Sequence, residues 1–307
     1  MMPPRVLVVG EVLIDWLPDQ AGPIETVERF SRRAGGAPAN VAVGLMRLEV
    51  PTALCANVST DPFGSLLVDR LDAEGVDLRW LTRDATHPTA HAFITHETTG
   101  ERSFSFCRAD TADCHLDTTV VDTEALADLD AVVIGGVALA VEPARSAVFG
   151  LLERVPAATT VIFDPNFRPE LWRADPAPVL RRAVAAADIV KLSAEEVDQL
   201  SLVTDPSQLL EMGADTVVWT AGGAGAEMIG AAGGPWGEGR WAVDGESPGA
   251  VVDTTGAGDA FLAGLVTGLL EGYAAPAALA LANRIGAAAT TAAGAMAALP
   301  DRSVVDT

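Results

Sequence analysis

The stretch Val251-Val-Asp253-Thr-Thr-Gly256-Ala-Gly258-Asp259-Ala-Phe261 places glycines and carboxylates where the chain turns into a helix. A β-branched pair leads into the Gly-rich turn, and the pattern beyond it predicts a helix from about Ala257 to Glu271. Gly256 and Gly258 permit a tight turn and close backbone approach. The first N–H groups of a helix have no intrahelical acceptor, so such a turn makes an anion site. Asp259 falls in the first helical turn, where the helix dipole stabilises a carboxylate. It is placed to act as a base near neutral pH, although an ordinary capping acid would occupy the same position. A side chain at Gly256 is expected to harm this chemistry more than folding. Ala260, Gly264 and Gly268 recur at i, i+4 and i+8, a small-residue face expected to lie close against a sheet.

A second Gly-rich segment, Ala34-Gly35-Gly36-Ala-Pro-Ala-Asn40, precedes another helical pattern, with Pro38 at the predicted helix start. Paired glycines let backbone approach a small polar ligand, and Asn40 offers both a donor and an acceptor. The pattern GxxxxGK[ST] is absent, and no GxGxxG follows Val9. A P-loop nucleotidase and a dinucleotide dehydrogenase are therefore disfavoured.

The elements that must position these residues are legible as short apolar runs: Val6–Val9, Ala131–Ile134, Thr160–Phe163, Ile189–Leu192 and Thr216–Trp219. The later runs recur about every 27–29 residues, one strand–helix–connection unit each. Helical stretches such as Pro143–Arg154 and Val179–Ala187 fall between them. Serial units of this kind predict a parallel sheet with helices on both faces. Polar residues gather at the carboxyl ends of the runs: Gly10 and Asp15, Asp164-Pro-Asn-Phe-Arg168, Lys191-Leu-Ser193 and Thr220-Ala-Gly-Gly223. Ligands bind at that end of open parallel sheets. Residues 11–33 and 88–110 break the rhythm. His91–His96 and Arg102–Cys107 flank the turn signal Thr98-Thr-Gly100 and predict a hairpin, expected to pair with a strand around Ile24–Phe30. The domain reading is a core of 1–10, 34–87 and 111–307 carrying a discontinuous β lid of 11–33 and 88–110.

Composition bounds the partners. The chain has 307 residues and a formal charge of −22, which repels nucleic acid and anionic membrane. Apolar residues make up 49%, too many for a disordered chain, and no apolar run reaches the roughly 20 residues of a membrane span. The N-terminal run is interrupted by Glu11 and Asp15 and reads as a first strand, so a cytoplasmic location is expected. Cys55, Cys107 and Cys114 show no CxxC spacing. His91 and His96 are five apart, which suits strand histidines better than metal ligands. Lys191 is the only lysine.

The segments AGGAPANVAVGLMRL and VVDTTGAGDAFLAGL resemble the N- and C-terminal signatures of the PfkB/ribokinase family of sugar kinases. The likeness continues through GEVLIDWLP, ERSFSFCR, DPNFRPELW, VKLSAEE and WTAGGAG, from about residue 5 to 300, and within the family it is most like bacterial fructokinases. The resemblance implies a ribokinase-like α/β fold: a mostly parallel central sheet with helices on both faces and a small β-sheet lid. It implies phosphorylation of a sugar hydroxyl by ATP with Mg²⁺. Carried over by position, Asp259 matches the catalytic base, and Gly256, Ala257 and Gly258 the anion hole. Asp15, Gly35, Gly36, Asn40, Arg108 and Arg168 match substrate-binding positions. Lys191, Ser193, Glu196, Thr220, Gly222, Gly225 and Asn283 match the side of the site that takes the nucleotide and its metal. Asp253 and Thr255 match a monovalent-cation site, which implies K⁺. The partners implied are a small sugar and ATP, with a homodimer through the lid.

Two positions depart from the family pattern. Ser193 stands where an Asn is usual, and Cys107 where a Tyr often precedes Arg108. The expected substrate is fructose, phosphorylated on a primary hydroxyl. A sugar acid such as 2-keto-3-deoxygluconate and a nucleoside are the competing substrates. A non-catalytic sugar sensor is the reading from another class, against which the intact Asp259 and Gly256–Gly258 argue.

Overall fold

The computed structural model describes residues 2–305 except 21, 97–101, 201 and 247–248, and the side chains at 96 and 102 are likewise left aside. The turn signal Thr98-Thr-Gly100 and Glu101 therefore lie outside the described residues. Thirteen strands are described: β1 Val6–Val9, β2 Leu13–Pro18, β3 Phe30–Gly35, β4 Thr52–Ser59, β5 Leu81–Asp84, β6 His91–His96, β7 Arg102–Cys107, β8 Ala131–Gly135, β9 Thr160–Asp164, β10 Ile189–Ser193, β11 Thr216–Thr220, β12 Gly225–Gly230 and β13 Gly239–Asp244. The α-helices are α1 Ala37–Arg47, α2 Pro62–Ala73, α3 Thr123–Ala127, α4 Ala144–Leu152, α5 Ala177–Ala185, α6 Ala194–Leu200, α7 Gln208–Glu211, α8 Ala257–Leu270, α9 Ala275–Ala289 and α10 Ala295–Ala298.

Nine strands form one sheet in the order β13-β12-β11-β10-β9-β8-β1-β4-β5. It is parallel from β5 to β11, and only β12 and β13 run antiparallel at its edge. All five apolar runs read from the sequence are strands of this sheet. Every residue of β1 and β4 is buried, because helices cover both faces. One core layer joins α1, α8 and α9 to the sheet, and the other joins α4 and α5. From β1 the chain builds outward to β4 and β5, and then returns to lay β8 on the other side of β1. Strand order therefore reverses between β1 and β8, and a crevice opens there at the strands' carboxyl ends.

The second sheet has the order β3-β2-β6-β7. The hairpin of β6 and β7 forms as expected, but its neighbour is β2, in parallel, not a strand at Ile24–Phe30. Ile24–Thr26 is a 3-10 turn instead. Pro23 fixes its entry, and β2 offers a free edge flanked by Trp16, which stacks on Phe93 at 5.8 Å.

The small-residue face of α8 also has a different neighbour from the one expected. A Cβ on Gly264 would lie 2.9 Å from the backbone of Ala282, and one on Gly268 would lie 3.0 Å from Ala278. The glycines thus admit α9 rather than the sheet. Gly264→Ala should lower stability by roughly 1–3 kcal/mol, since neither backbone can yield. Gly150, exposed in α4 with nothing near its absent Cβ, is the counterpart: Gly150→Ala should raise stability by about 0.5–1 kcal/mol. Thermal or urea unfolding of the two variants should move the midpoint in opposite directions.

Candidate active site

The crevice at the carboxyl ends of β1, β8, β9 and β10 collects most of the residues singled out in the sequence. Helix α8 enters it through Gly256, whose left-handed φ of 80° makes the turn. A Cβ there would lie 2.8 Å from the backbone of Ala295. A side chain at Gly256 would accordingly strain the fold as well as the site. Asp259 follows in the first turn of α8 and is buried. It is no simple cap, because its Oδ2 accepts a hydrogen bond of 2.8 Å from Asn40 Nδ2. Burial, opposed by that bond and reinforced by the Asp164 charge, pushes its pKa up to about 6.

Asp15 sits in the middle of β2, with its carboxylate over the end of β3. A Cβ on Gly35 would fall 2.0 Å from Asp15 Oδ2, so only glycine leaves room for the acid. Gly36 takes φ 101° and passes so close to the Glu11 carbonyl that a Cβ would lie 2.5 Å from it. Burial, with the Asp259 charge added, raises Asp15 to about 7, opposed by Arg168. Arg168, beyond β9, donates to the Phe167 carbonyl at 2.8 Å, and its guanidinium lies 5.0 Å from the Phe104 ring of β7. It thus links the four-stranded sheet to the crevice.

Lys191 Nζ donates to Asp164 Oδ2 at 2.9 Å within the crevice. A Cβ on Gly258 would lie 3.1 Å from that ammonium. Burial alone would lower the Lys191 pKa, but the Asp164 and Glu196 charges outweigh it and keep it above its usual value. Ser193 and Glu196 form a reciprocal cap on α6. Ser193 Oγ accepts from the Glu196 N–H at 3.2 Å, and Glu196 Oε2 accepts from the Ser193 N–H at 2.7 Å. Glu196 Oε1 also accepts from the Phe167 N–H at 2.6 Å, so this acid ties β10 to the Asp164–Arg168 loop. Serine in place of the usual Asn is thereby accommodated as a helix cap.

The other predicted positions lie farther along the same edge. Thr220 ends β11, and Gly222 (φ 54°) and Gly225 (φ 105°) shape the turn into β12. Asn283 on α9 donates to the Asp244 carbonyl at 2.9 Å, closing the end of β13 against the helix. Asp253 Oδ1 accepts from the Thr255 N–H at 2.9 Å and its hydroxyl at 2.7 Å, and Oδ2 accepts from the Gly294 N–H at 2.8 Å. That clasp fixes the loop preceding Gly256.

Arg108 differs most from its expected setting. Its guanidinium is buried and bound to Asp113 Oδ2 at 2.5 Å. Glu11, just beyond β1, is wholly buried; desolvation lifts it to about 7 against the Arg108 charge. Sequence reasoning passed over both Glu11 and Asp113. The strand-end rule that selected Gly10 and Asp15 applies equally to Glu11, whereas nothing local marks Asp113. Glu11 Oε2, Asn40 Oδ1 and Arg108 Nη2 are buried without a hydrogen-bond partner among the described residues. Uncompensated polar atoms are costly inside a protein. Acceptors and a donor left open around one carboxylate-lined crevice suit a ligand rich in hydroxyl groups.

Activity and stability should respond oppositely to pH. A base must be ionised, so turnover should climb as pH rises through about 6 to 7 and level off above. Glu11, Asp15 and Asp259 all have folded values raised above the ordinary carboxylate range. Their contribution to stability is fully present below about pH 4 and is lost as pH rises through the folded values. The ligand-free melting temperature should therefore fall between pH 5 and pH 8, and Glu11→Gln should flatten that fall. A melting temperature that rises over this range and ignores Glu11→Gln would contradict the assignment.

Among the described residues no helix is long and apolar enough to cross a membrane. The sequence from residue 3 to 302 matches the model of the pfkB family of carbohydrate kinases. It is 38% identical to a fructokinase of Klebsiella pneumoniae, with 96% of each chain covered. The fold is similar to that of a sugar kinase of Pyrococcus horikoshii solved with ATP (TM-score 0.86, 31% identity, 97% of this chain and 96% of that one). It is also similar to a double mutant of Vibrio cholerae fructokinase solved with fructose, ADP and a potassium ion (TM-score 0.84, 31% identity, 99% and 97%).

Proposed function

The chain belongs to the pfkB family of carbohydrate kinases, and from that premise we propose that it transfers the γ-phosphoryl group of MgATP to the primary hydroxyl of fructose. The observation that carries this reading is the pairing of Asp259 with the N-terminus of α8. A buried carboxylate of pKa about 6 stands one residue beyond the Gly256–Gly258 turn. Asp259 takes the proton from the attacking hydroxyl, with Asn40 holding the carboxylate in place. The N–H groups of Gly256, Ala257 and Gly258 receive the charge on the transferred phosphoryl group, where pre-oriented donors lower the barrier most. Asp15, Gly35, Gly36, Asn40 and Arg168 bind the sugar, and the four-stranded sheet of β2, β3, β6 and β7 serves as the lid that excludes water.

Thr220, Gly222, Gly225 and Asn283 take the nucleotide, with Lys191 neutralising phosphate. Mg²⁺ arriving with the nucleotide would supply neutralisation of the phosphate charge. Asp164 and Glu196 are the buried carboxylates that would hold it through water, and Ser193 keeps Glu196 in position. A monovalent cation, K⁺, belongs at the loop of Asp253 and Thr255, as the potassium-bound relative suggests. A cytoplasmic enzyme that dimerises through the lid completes the reading.

The buried Arg108–Asp113 pair favours a neutral sugar over a sugar acid. Binding a carboxylate through both arginines would need two uncompensated charges, and the Arg108 charge is already countered by Asp113 with Glu11 beside it, while its open Nη2 can still donate to a neutral hydroxyl.

Coupled ADP release across a sugar panel at saturating MgATP tests the assignment. Fructose should give the highest kcat/KM. A larger value for 2-keto-3-deoxygluconate or a nucleoside would move the substrate and leave the kinase reading intact. Asp259→Asn should keep the fold and reduce kcat by roughly 10²–10⁴-fold. Retention of more than half the turnover would remove Asp259 from the role of base. Arg168→Ala should lower kcat if the sugar is neutral and the guanidinium serves phosphate charge in the transition state; a rise in KM with kcat preserved would indicate a sugar acid.

A further inference from the structure

His87, Asp110 and His115 come together outside the carboxylate crevice, where the four-stranded sheet joins the core. His87 lies in the segment from β5 to β6, and Asp110 between β7 and the 3-10 turn Ala112–His115. One nitrogen from each histidine and one Asp110 oxygen all lie within 4.8 Å of one another. His115 Nε2 is 2.7 Å from Asp110 Oδ1, His87 Nε2 is 3.8 Å from the same oxygen, and the two imidazoles stack with centroids 3.7 Å apart, so both nitrogens would reach one ion after the rings turn out of this stack. We propose that these three side chains form a binding site for a divalent transition-metal ion of the zinc type, ligated by His87 Nε2, His115 Nε2 and the Asp110 carboxylate.

An independent observation concerns the far side of His87. Its Nδ1 lies 2.7 Å from Asp84 Oδ2, while Asp84 Oδ1 accepts from the Thr86 and His87 N–H groups. A carboxylate can only accept, so a neutral His87 carries its proton on Nδ1. Its Nε2 lone pair then faces the Asp110 oxygen. Two acceptors facing one another repel, and either a proton on Nε2 or a metal ion between them relieves that repulsion. A carboxylate behind a metal-binding imidazole is the arrangement that fixes tautomer and ring orientation in zinc sites. Neutral His115 gains the same role by moving its proton from Nε2 to Nδ1, a tautomeric shift that needs no other reactant.

The donor set selects the ion. Two imidazoles and one carboxylate suit Zn²⁺, Co²⁺ or Ni²⁺, whereas Mg²⁺ demands an oxygen shell and should not compete. Because the ligands come from the two segments connecting the β6–β7 hairpin to the core, a bound ion would clip those segments together without entering the crevice.

Co²⁺, whose visible absorption reports inner-sphere ligation, tests the proposal on the full-length chain freed of any histidine tag. One equivalent should bind, give visible bands and be displaced by Zn²⁺ but not by millimolar Mg²⁺. His115→Ala should abolish the bands or weaken binding at least tenfold. Asp110→Asn, at a side chain that is 77% exposed, should do the same without risk to the fold. Asp84→Asn should weaken binding by about 10–100-fold through loss of the supporting carboxylate. Cys107→Ser and His91→Gln should leave it unchanged. Absence of inner-sphere bands, or bands that survive both His115→Ala and Asp110→Asn, would overturn the site.

Discussion

Negative charge buried at one end of a sheet is the constraint on which the structure turns. Glu11, Asp15, Asp164 and Asp259 share one water-poor crevice, and each raises the cost of ionising its neighbours. Lys191, Arg108 and Arg168 offset part of that repulsion from three different elements. The N-termini of α1 and α8 also open toward it, each entered through a glycine at positive φ. Desolvation above all, with the repulsion that remains, leaves Asp259 near pKa 6 and Asp15 near 7. Asp259 in that range is mostly ionised at neutral pH and still basic, whereas Asp15 is about half protonated there.

The small sheet is tied to this electrostatic centre by packing as well as charge. Trp16 of β2 packs edge-on to Phe63 of α2 at 6.0 Å and donates its indole N–H to His91 Nδ1 at 3.1 Å. Phe104 of β7 lies beneath the Arg168 guanidinium. Movement of this sheet would therefore alter the surroundings of a cation that itself steadies Asp15 and Asp259.

Local chemistry was legible in the sequence where one short segment carries both its geometry and its function. The Gly256–Asp259 turn, the Gly35–Asn40 segment and the polar strand ends are of this kind. The five apolar runs revealed the centre of the sheet, but β4 did not stand out. Its sequence Thr-Ala-Leu-Cys-Ala-Asn-Val-Ser looks half polar, and its full burial follows from a central place that only topology assigns. β12 and β13 carry glycines and an edge pattern too weak to read alone. The neighbour of α8 was misread because a stripe of small residues says that something comes close, not what. Arg108 and Asp113 are five residues apart, with no helical or strand period linking them. The trio of His87, Asp110 and His115 likewise depends on two connecting segments folding back on the same spot.

Lys191 is the only lysine, and it lies inside. Every cation on the exterior is thus an arginine or a histidine, apart from the chain terminus. Guanidinium groups do not lose their protons in the range proteins experience. Most proteins shed positive charge in the alkaline region as surface ammonium groups titrate, and their electrophoretic mobility and solubility drift accordingly. This exterior has no lysine amines to titrate. Its charge should reach a plateau soon above neutrality, with a single tyrosine and three cysteines as the side chains left to change it. The result is a surface of strong, nearly constant negative charge above neutrality, whose colloidal behaviour is buffered against alkaline drift, while the raised carboxylates lie in the interior.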